Sequence, residues 1–211
     1  MVLEITLVKK ISLFYAIIIT NFFLTKLSFA HHFIDGQTPK TLFEGFISGI
    51  AHPVLGFDHL IFLIFISLII FLIFKKIFFI CFFIILTIIG SFFSILNLSL
   101  PILELSIIIS IFILGFYFFF YKYIPNLIFI FSFILFGFIH GSAYGKTIIE
   151  SLISVQLSYI IGFTLVQFIV CLISFYLGKF LINTNTKEQY SPYLIGSLNI
   201  ITAFVMLYIY I

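Results

Sequence analysis

Long apolar runs recur along the chain, and short polar segments separate them. A transmembrane α-helix needs about 20 predominantly apolar residues to cross the hydrocarbon core. Six runs have about that length, and they cover residues 57–74, 77–95, 102–121, 126–143, 152–177 and 192–211. The pattern therefore predicts an all-α fold, a polytopic membrane helix bundle with about six transmembrane helices.

The composition agrees with a membrane protein. Of the 211 residues, 64% are hydrophobic and only 8% are charged. Such a chain has too few polar side chains to cover a surface in water, so lipid must be its solvent. The ten basic residues are all lysines, scattered without a basic patch, which argues against a nucleic-acid partner.

The first 30 residues resemble a secretory signal peptide. Lys9 and Lys10 form a basic start, residues 11–24 are apolar, and Ser28 and Ala30 supply small residues for cleavage. Cleavage after Ala30 would leave residues 31–56 as an outer-face segment, with a short helix at 42–51, and residues 57–211 as the six-span domain. The alternative is an uncleaved first transmembrane helix.

Lysine placement predicts the orientation of the bundle. With the mature N-terminus outside, the inner loops carry five lysines and the outer loops two, in agreement with the positive-inside rule. We therefore expect a multi-pass protein of a bacterial inner (plasma) membrane. The inner lysines are Lys75, Lys76, Lys122, Lys179 and Lys187, and the outer ones are Lys40 and Lys146.

The most unusual stretch is His52-Pro53-Val54-Leu55-Gly56-Phe57-Asp58-His59. Ionisable groups at a membrane segment are costly and often functional, and imidazole and carboxylate are common ligands of divalent metals. Proline disfavours helix at the preceding residue, and glycine permits a sharp turn. We expect the helix to break at His52 and fold this residue back toward Asp58 and His59. Asp58 would be a direct ligand or would orient a ligating imidazole.

The predicted topology places all five histidines on the outer side. It also places there Glu104, the single acid inside the second to sixth apolar runs. The outer half is therefore predicted to hold a metal site made of His52, Asp58, His59, Glu104 and His140.

Simpler interpretations exist for most of these residues. The Asp58–His59 pair would also suit a solvated helix cap, Glu104 an interfacial carboxylate, and His140 a hydrogen bond between helices. His31 and His32 would form an outer metal-capture site with the new α-amine, or be inert. Two distant cysteines, Cys81 and Cys171, have no CxxC spacing and are predicted to have a structural role in the core rather than to form a disulfide or a metal site.

The octapeptide resembles the signature of the HupE/UreJ family of small membrane proteins. Glu104 with the helix that follows, and the segment Phe138-Ile139-His140-Gly141-Ser142-Ala143-Tyr144-Gly145, resemble later motifs of that family. The resemblance covers nearly the whole chain and implies a nickel permease, with cobalt as the alternative, linked to hydrogenase and urease maturation proteins. Many members have histidine where this chain has Tyr144, a poorer divalent ligand. Tyr144 is expected on the pathway.

These features together predict inward transport of a divalent metal, Ni²⁺ first, with Co²⁺, Cu²⁺ and Zn²⁺ as alternatives. The first rival is a membrane metal-binding accessory protein that does not transport. The second is an intramembrane metallohydrolase, but the HExxH helix is absent, so we expect no enzyme. No GxxxxGK[ST] motif occurs either, which excludes ATP hydrolysis by that route.

Overall fold

The computed structural model describes residues 38–98, 100–182 and 190–211. Within these ranges the chain forms seven α-helices and no β-strand. The helices are α1 (Leu42–Leu55), α2 (Phe57–Ile73), α3 (Phe78–Ile95), α4 (Leu103–Phe120), α5 (Asn126–Lys146), α6 (Ile153–Leu181) and α7 (Tyr190–Tyr210).

The helices confirm the predicted membrane bundle. Five of the described helices, α3 to α7, are long and apolar enough to cross a membrane. The bent pair of α1 and α2 passes the same test when its two helices are taken together, which gives up to six spans in the described residues. The predicted signal peptide, with His31 and His32, lies outside the described residues.

The first bent span differs from the prediction in one respect. Helix α1 continues through His52 and Pro53 to Leu55, and the chain turns at Gly56, where α1 and α2 meet at 71°. The predicted break at His52 is therefore wrong. The proline removes only one backbone bond near the end of α1, and packing of α1 against α6 overrides its local preference. The extended backbone of Gly56 (φ −70°, ψ 97°) makes the turn.

Helix α1 begins with a capping box. The Thr41 side chain accepts from the Glu44 backbone N–H at 3.2 Å, and Glu44 Oε2 accepts in return from the Thr41 N–H at 3.2 Å. This reciprocal pair satisfies backbone donors that a helix start leaves without partners. The cap fixes where α1 starts, and hence the register that places His52 in its last turn.

Small residues bring helices into close contact. A Cβ atom on Gly141 of α5 would overlap the carbonyl oxygen of Thr87 in α3, and one on Gly49 of α1 would overlap that of Tyr159 in α6. In lipid, association relies on such close van der Waals packing, because lipid tails are as apolar as the helix surfaces. The α3–α5 and α1–α6 pairs thus meet backbone to backbone.

Contacts between helices give their relative directions. Thr87 and Ser91 of α3 face Gly141 and Gly145 of α5 in the same order along the chain, so these two helices run parallel. Helix α2 is likewise parallel to α6, since Leu63 contacts Cys171 and Phe71 contacts Gly178. By contrast, α4 and α7 are antiparallel, because Phe112 packs on Phe204 and Phe119 on Tyr193. These directions fit a chain that crosses the membrane in alternating senses.

Candidate metal site

Three histidines lie together in one half of the bundle. His52 comes from the end of α1, His59 from the first turns of α2, and His140 from α5. All three are buried, with 5%, 1% and 1% of their surface exposed. We call the half that contains them and Gly56 the outer half, after its predicted orientation, and the opposite half the inner half.

The three imidazoles form a row with His59 in the middle. Nδ1 of His59 lies 3.1 Å from Nδ1 of His140. The ring centroid of His59 is 5.2 Å from that of His52 and 5.3 Å from that of His140. The turn at Gly56 makes this possible, because a straight helix would separate His52 and His59 by roughly 10 Å along its axis.

A side chain on Gly56 would collide with this arrangement. Its Cβ would lie 2.9 Å from Cδ2 of His59 and 2.9 Å from the carbonyl oxygen of His52. The glycine therefore gives both the turn and the space that the His59 ring occupies.

Hydroxyl groups contact His140 and His52, the two imidazoles at the ends of the row. Ser110 Oγ of α4 lies 2.9 Å from Nε2 of His140. The Tyr159 hydroxyl of α6 lies 2.8 Å from Nδ1 of His52 and 3.2 Å from Oγ1 of Thr147. The ring of Phe62 stacks on His140 with 3.7 Å between centroids. His140 and His52 are therefore each held in position by a neighbouring helix.

Tyr144 packs against the histidine row. It is completely buried, and its ring centroid is 5.1 Å from His52 and 4.5 Å from His59. Its hydroxyl has no partner with hydrogen-bond geometry among the described residues, although it interacts with the side chain of Gln167. Tyr144 thus fills space beside the row, and its oxygen is directed away from solvent.

The two predicted carboxylates occupy different environments. Asp58 is partly buried beside the row, where its Oδ1 accepts from the His59 backbone N–H at 2.9 Å. Glu104 is exposed in the first turn of α4, and the contacts of the described residues do not connect it to the histidines. Within the described residues, no three His, Cys, Asp or Glu side chains meet the geometry of a closed metal site.

A comparison with protein families identifies the chain. The family model described as HupE / UreJ protein matches residues 19–206. The chain belongs to the HupE/UreJ family. This family is linked to nickel or cobalt transport or to accessory roles. No curated protein and no solved structure matches this HupE/UreJ protein.

The structure adds residues that the sequence interpretation missed. Ser110, Thr147 and Tyr159 contact the histidines or each other, and none of the three was predicted to belong to the site. Ser110 lies between isoleucines in a predicted membrane span, which is a usable signal for a polar partner in a membrane helix. Tyr159 carries no such signal, because tyrosine is common at the ends of membrane helices, and Thr147 lies in a polar segment between two predicted spans.

The cysteines are both free. Cys171 is buried in the core of the bundle, with Sγ 3.9 Å from the carbonyl oxygen of Leu63. Cys81 is exposed on α3, so the predicted core role is wrong for this residue. Neither residue takes part in the histidine row.

Proposed function

We propose that this HupE/UreJ protein carries a divalent transition metal inward across the membrane, with Ni²⁺ as the first candidate and Co²⁺ as the second. The metal is the cargo, and the buried row of His52, His59 and His140 is the site that receives it. The observation that carries the proposal is the convergence of three imidazoles from separate helices in a bundle of very low polarity.

The spacing of the central pair supports a shared metal. Metal–imidazole bonds are about 2.0–2.1 Å long, so two ligands at about a right angle have nitrogens about 3 Å apart. The Nδ1 atoms of His59 and His140 are 3.1 Å apart. Near-right angles are typical of square-planar or octahedral sites, the geometries that nickel adopts.

The third imidazole lies across the bend. His52 belongs to α1 and His59 to α2, so a change of the 71° angle at Gly56 moves one imidazole relative to the other. Broken helices at binding sites are common in transporters, where the two halves shift during the transport cycle. We infer that a decrease of the angle between α1 and α2 brings His52 to the metal bound by His59 and His140.

The two carboxylates, Asp58 and Glu104, have separate roles in this proposal. Asp58 lies beside the row, where its negative charge offsets that of the cation. Glu104 is exposed at the outer end of α4, which suits a first contact with a hydrated metal. Tyr144 borders the pathway without ligating the metal. His31 and His32 remain candidates for outer capture.

The apolar inner half favours a second candidate, an accessory protein that binds metal without transport. The described core on that side consists mainly of closely packed Phe, Ile and Leu side chains. A carrier must open this region during its cycle, whereas an accessory protein need not. The accessory role would connect the site to metalloenzyme maturation proteins.

Flux through purified protein in sealed liposomes tests the choice. Ni²⁺, Co²⁺, Cu²⁺ and Zn²⁺ are offered outside in turn, and a metal-sensitive dye reports arrival inside. Transport predicts saturable Ni²⁺ entry that Asp58→Ala reduces. Metal binding without entry would favour the accessory role, and cleavage of a membrane peptide would favour the metallohydrolase.

A further inference from the structure

The hydrogen bonds that Ser110, Thr147 and Tyr159 make around the histidine row fit one arrangement of protons. A hydroxyl has one proton to donate, and a backbone carbonyl oxygen can only accept. A neutral imidazole has one nitrogen that donates and one that accepts, and its hydrogen-bond partners decide which is which. The protons around the row can therefore be assigned one contact at a time.

The first assignment concerns His140. Ser110 Oγ lies 2.6 Å from the carbonyl oxygen of Ile107, and this contact uses the single hydroxyl proton. Ser110 must therefore accept in its other contact, at 2.9 Å from Nε2 of His140. The Nε2 atom carries the proton, and the lone pair of His140 is on Nδ1, the atom 3.1 Å from His59.

The second assignment concerns His52 and runs through two hydroxyls. Thr147 donates to the carbonyl oxygen of Tyr144 at 2.9 Å, so it accepts from the Tyr159 hydroxyl at 3.2 Å. The Tyr159 oxygen must then accept from Nδ1 of His52 at 2.8 Å. This places the proton of His52 on Nδ1 and its lone pair on Nε2.

The third assignment follows for His59. Since His140 Nδ1 has the lone pair, the 3.1 Å contact between the two Nδ1 atoms requires a proton on His59 Nδ1 in the metal-free protein. A metal that binds this pair takes the place of that proton. His59 then changes its tautomer, while His52 and His140 keep theirs.

We propose that Ser110 and the Thr147–Tyr159 pair are positioning residues that fix opposite tautomers of His140 and His52, so that Nδ1 of the first and Nε2 of the second face the cargo metal. Such outer partners fix the orientation and tautomer of metal-binding histidines, and their loss typically weakens metal affinity 10–100-fold, roughly. The metal-binding part of this inference rests on the proposed function, whereas the tautomers of the metal-free protein do not.

Two hydroxyl deletions have matched controls in the chain. Ser110→Ala removes the hydroxyl next to His140, and Ser67→Ala removes an equally buried hydroxyl that bonds the carbonyl of Leu63 in its own helix. Tyr159→Phe removes the hydroxyl next to His52. Tyr117→Phe is its control, because the buried Tyr117 hydroxyl bonds Ser132 in the inner half.

¹⁵N NMR measures the tautomers directly. The sample is the metal-free full chain labelled with ¹⁵N-histidine at about pH 8, where free imidazoles are neutral. Single-histidine substitutions assign the signals. We expect protonated Nε2 on His140 and protonated Nδ1 on His52 in the unsubstituted protein. Of these two sets of signals, Ser110→Ala should change only those of His140, and Tyr159→Phe only those of His52. Both control variants should retain the original spectrum.

Titration with Ni²⁺ alone then tests the consequence for binding. Ser110→Ala and Tyr159→Phe should each raise the Kd about 10–100-fold, and the controls should leave it unchanged. The inference would be overturned if the unsubstituted protein showed the opposite tautomers. It would also be overturned if neither hydroxyl deletion changed the tautomers or the Kd. Absence of Ni²⁺ binding to the unsubstituted protein would count against the proposed function alone, because the tautomer spectra are recorded without metal.

Discussion

The outer and inner halves of the bundle are built from the same few helices but bury different side chains. The outer half buries three histidines, two tyrosines and several hydroxyl groups, which bond across helices. The inner half buries mainly Phe, Ile and Leu, and its hydroxyl groups at Ser67 and Tyr117 bond the Leu63 carbonyl and Ser132, not a histidine. A hydrogen bond between helices requires a defined geometry of donor and acceptor, whereas apolar packing is not directional. This difference underlies our proposal that the outer half binds the metal, while the inner half maintains the fold.

The largest expected effect is loss of uptake from His140→Ala. Removal of an imidazole from the central pair takes away a ligand, so initial Ni²⁺ uptake into liposomes should fall by more than about 100-fold, beyond the loss typical for an outer-shell partner. Ser67→Ala, which removes a buried polar group of the inner half, should leave uptake unchanged. Equal losses in both variants would remove the functional distinction between the halves.

In the inner half, Phe65→Ala should lower the stability of the protein rather than its affinity for Ni²⁺. Phe65 is completely buried and packs against Phe118, and a large-to-small change of this kind costs about 3 kcal/mol or more in unfolding free energy. Thermal unfolding in detergent measures the loss, and Ni²⁺ titration of the folded protein should give an unchanged Kd. Phe78→Ala is the control, because that side chain is exposed. A Kd shift in Phe65→Ala would extend the site into the inner half.

A smaller effect is expected from Gly56→Ala at the bend. The backbone angles of Gly56 suit alanine, but the added Cβ would press on the His59 ring and the His52 carbonyl. Displacement of one imidazole by a fraction of an ångström should reduce Ni²⁺ uptake by about tenfold, since ligand geometry decides metal affinity. The control is Gly115→Ala in the inner half, where the added Cβ would press on Ile200. It should lower thermal stability without reducing Ni²⁺ uptake. Full activity of Gly56→Ala would show that the bend angle is unimportant.

The smallest effect concerns pH. A metal binds the neutral imidazole, and a free imidazole gains its proton at about pH 6.5. Uptake should therefore decline as the outer pH falls below about 6, and recover when the pH is raised again. The measurement is initial Ni²⁺ flux at several outer pH values with the inner pH fixed. Uptake that does not decline at any outer pH at which the protein stays folded would argue against histidine ligands.

The apolar pattern predicted the helices well, because lipid tolerates only backbone that is internally hydrogen-bonded over a fixed length. The run predicted at 102–121 is the helix Leu103–Phe120, and the run at 77–95 is Phe78–Ile95. Prediction was poorer at Pro53, where local preference pointed to a break that tertiary packing moved to Gly56. Helix α6 continues beyond the predicted end at 177 to Leu181, because its last turns still pack on α2.

The sequence by itself determined the membrane class, the family and the residue types of the candidate site, because each depends on composition or on short motifs. It also predicted that His52 and His59 come together at a turn. Only the tertiary structure decided that His140 is the partner of His59, that Tyr144 lies beside the row and that Glu104 is exposed. The reason is physical: side chains about 80 residues apart meet through the packing of small residues between helices, and neither the spacing nor the type of a residue encodes which neighbour that packing selects.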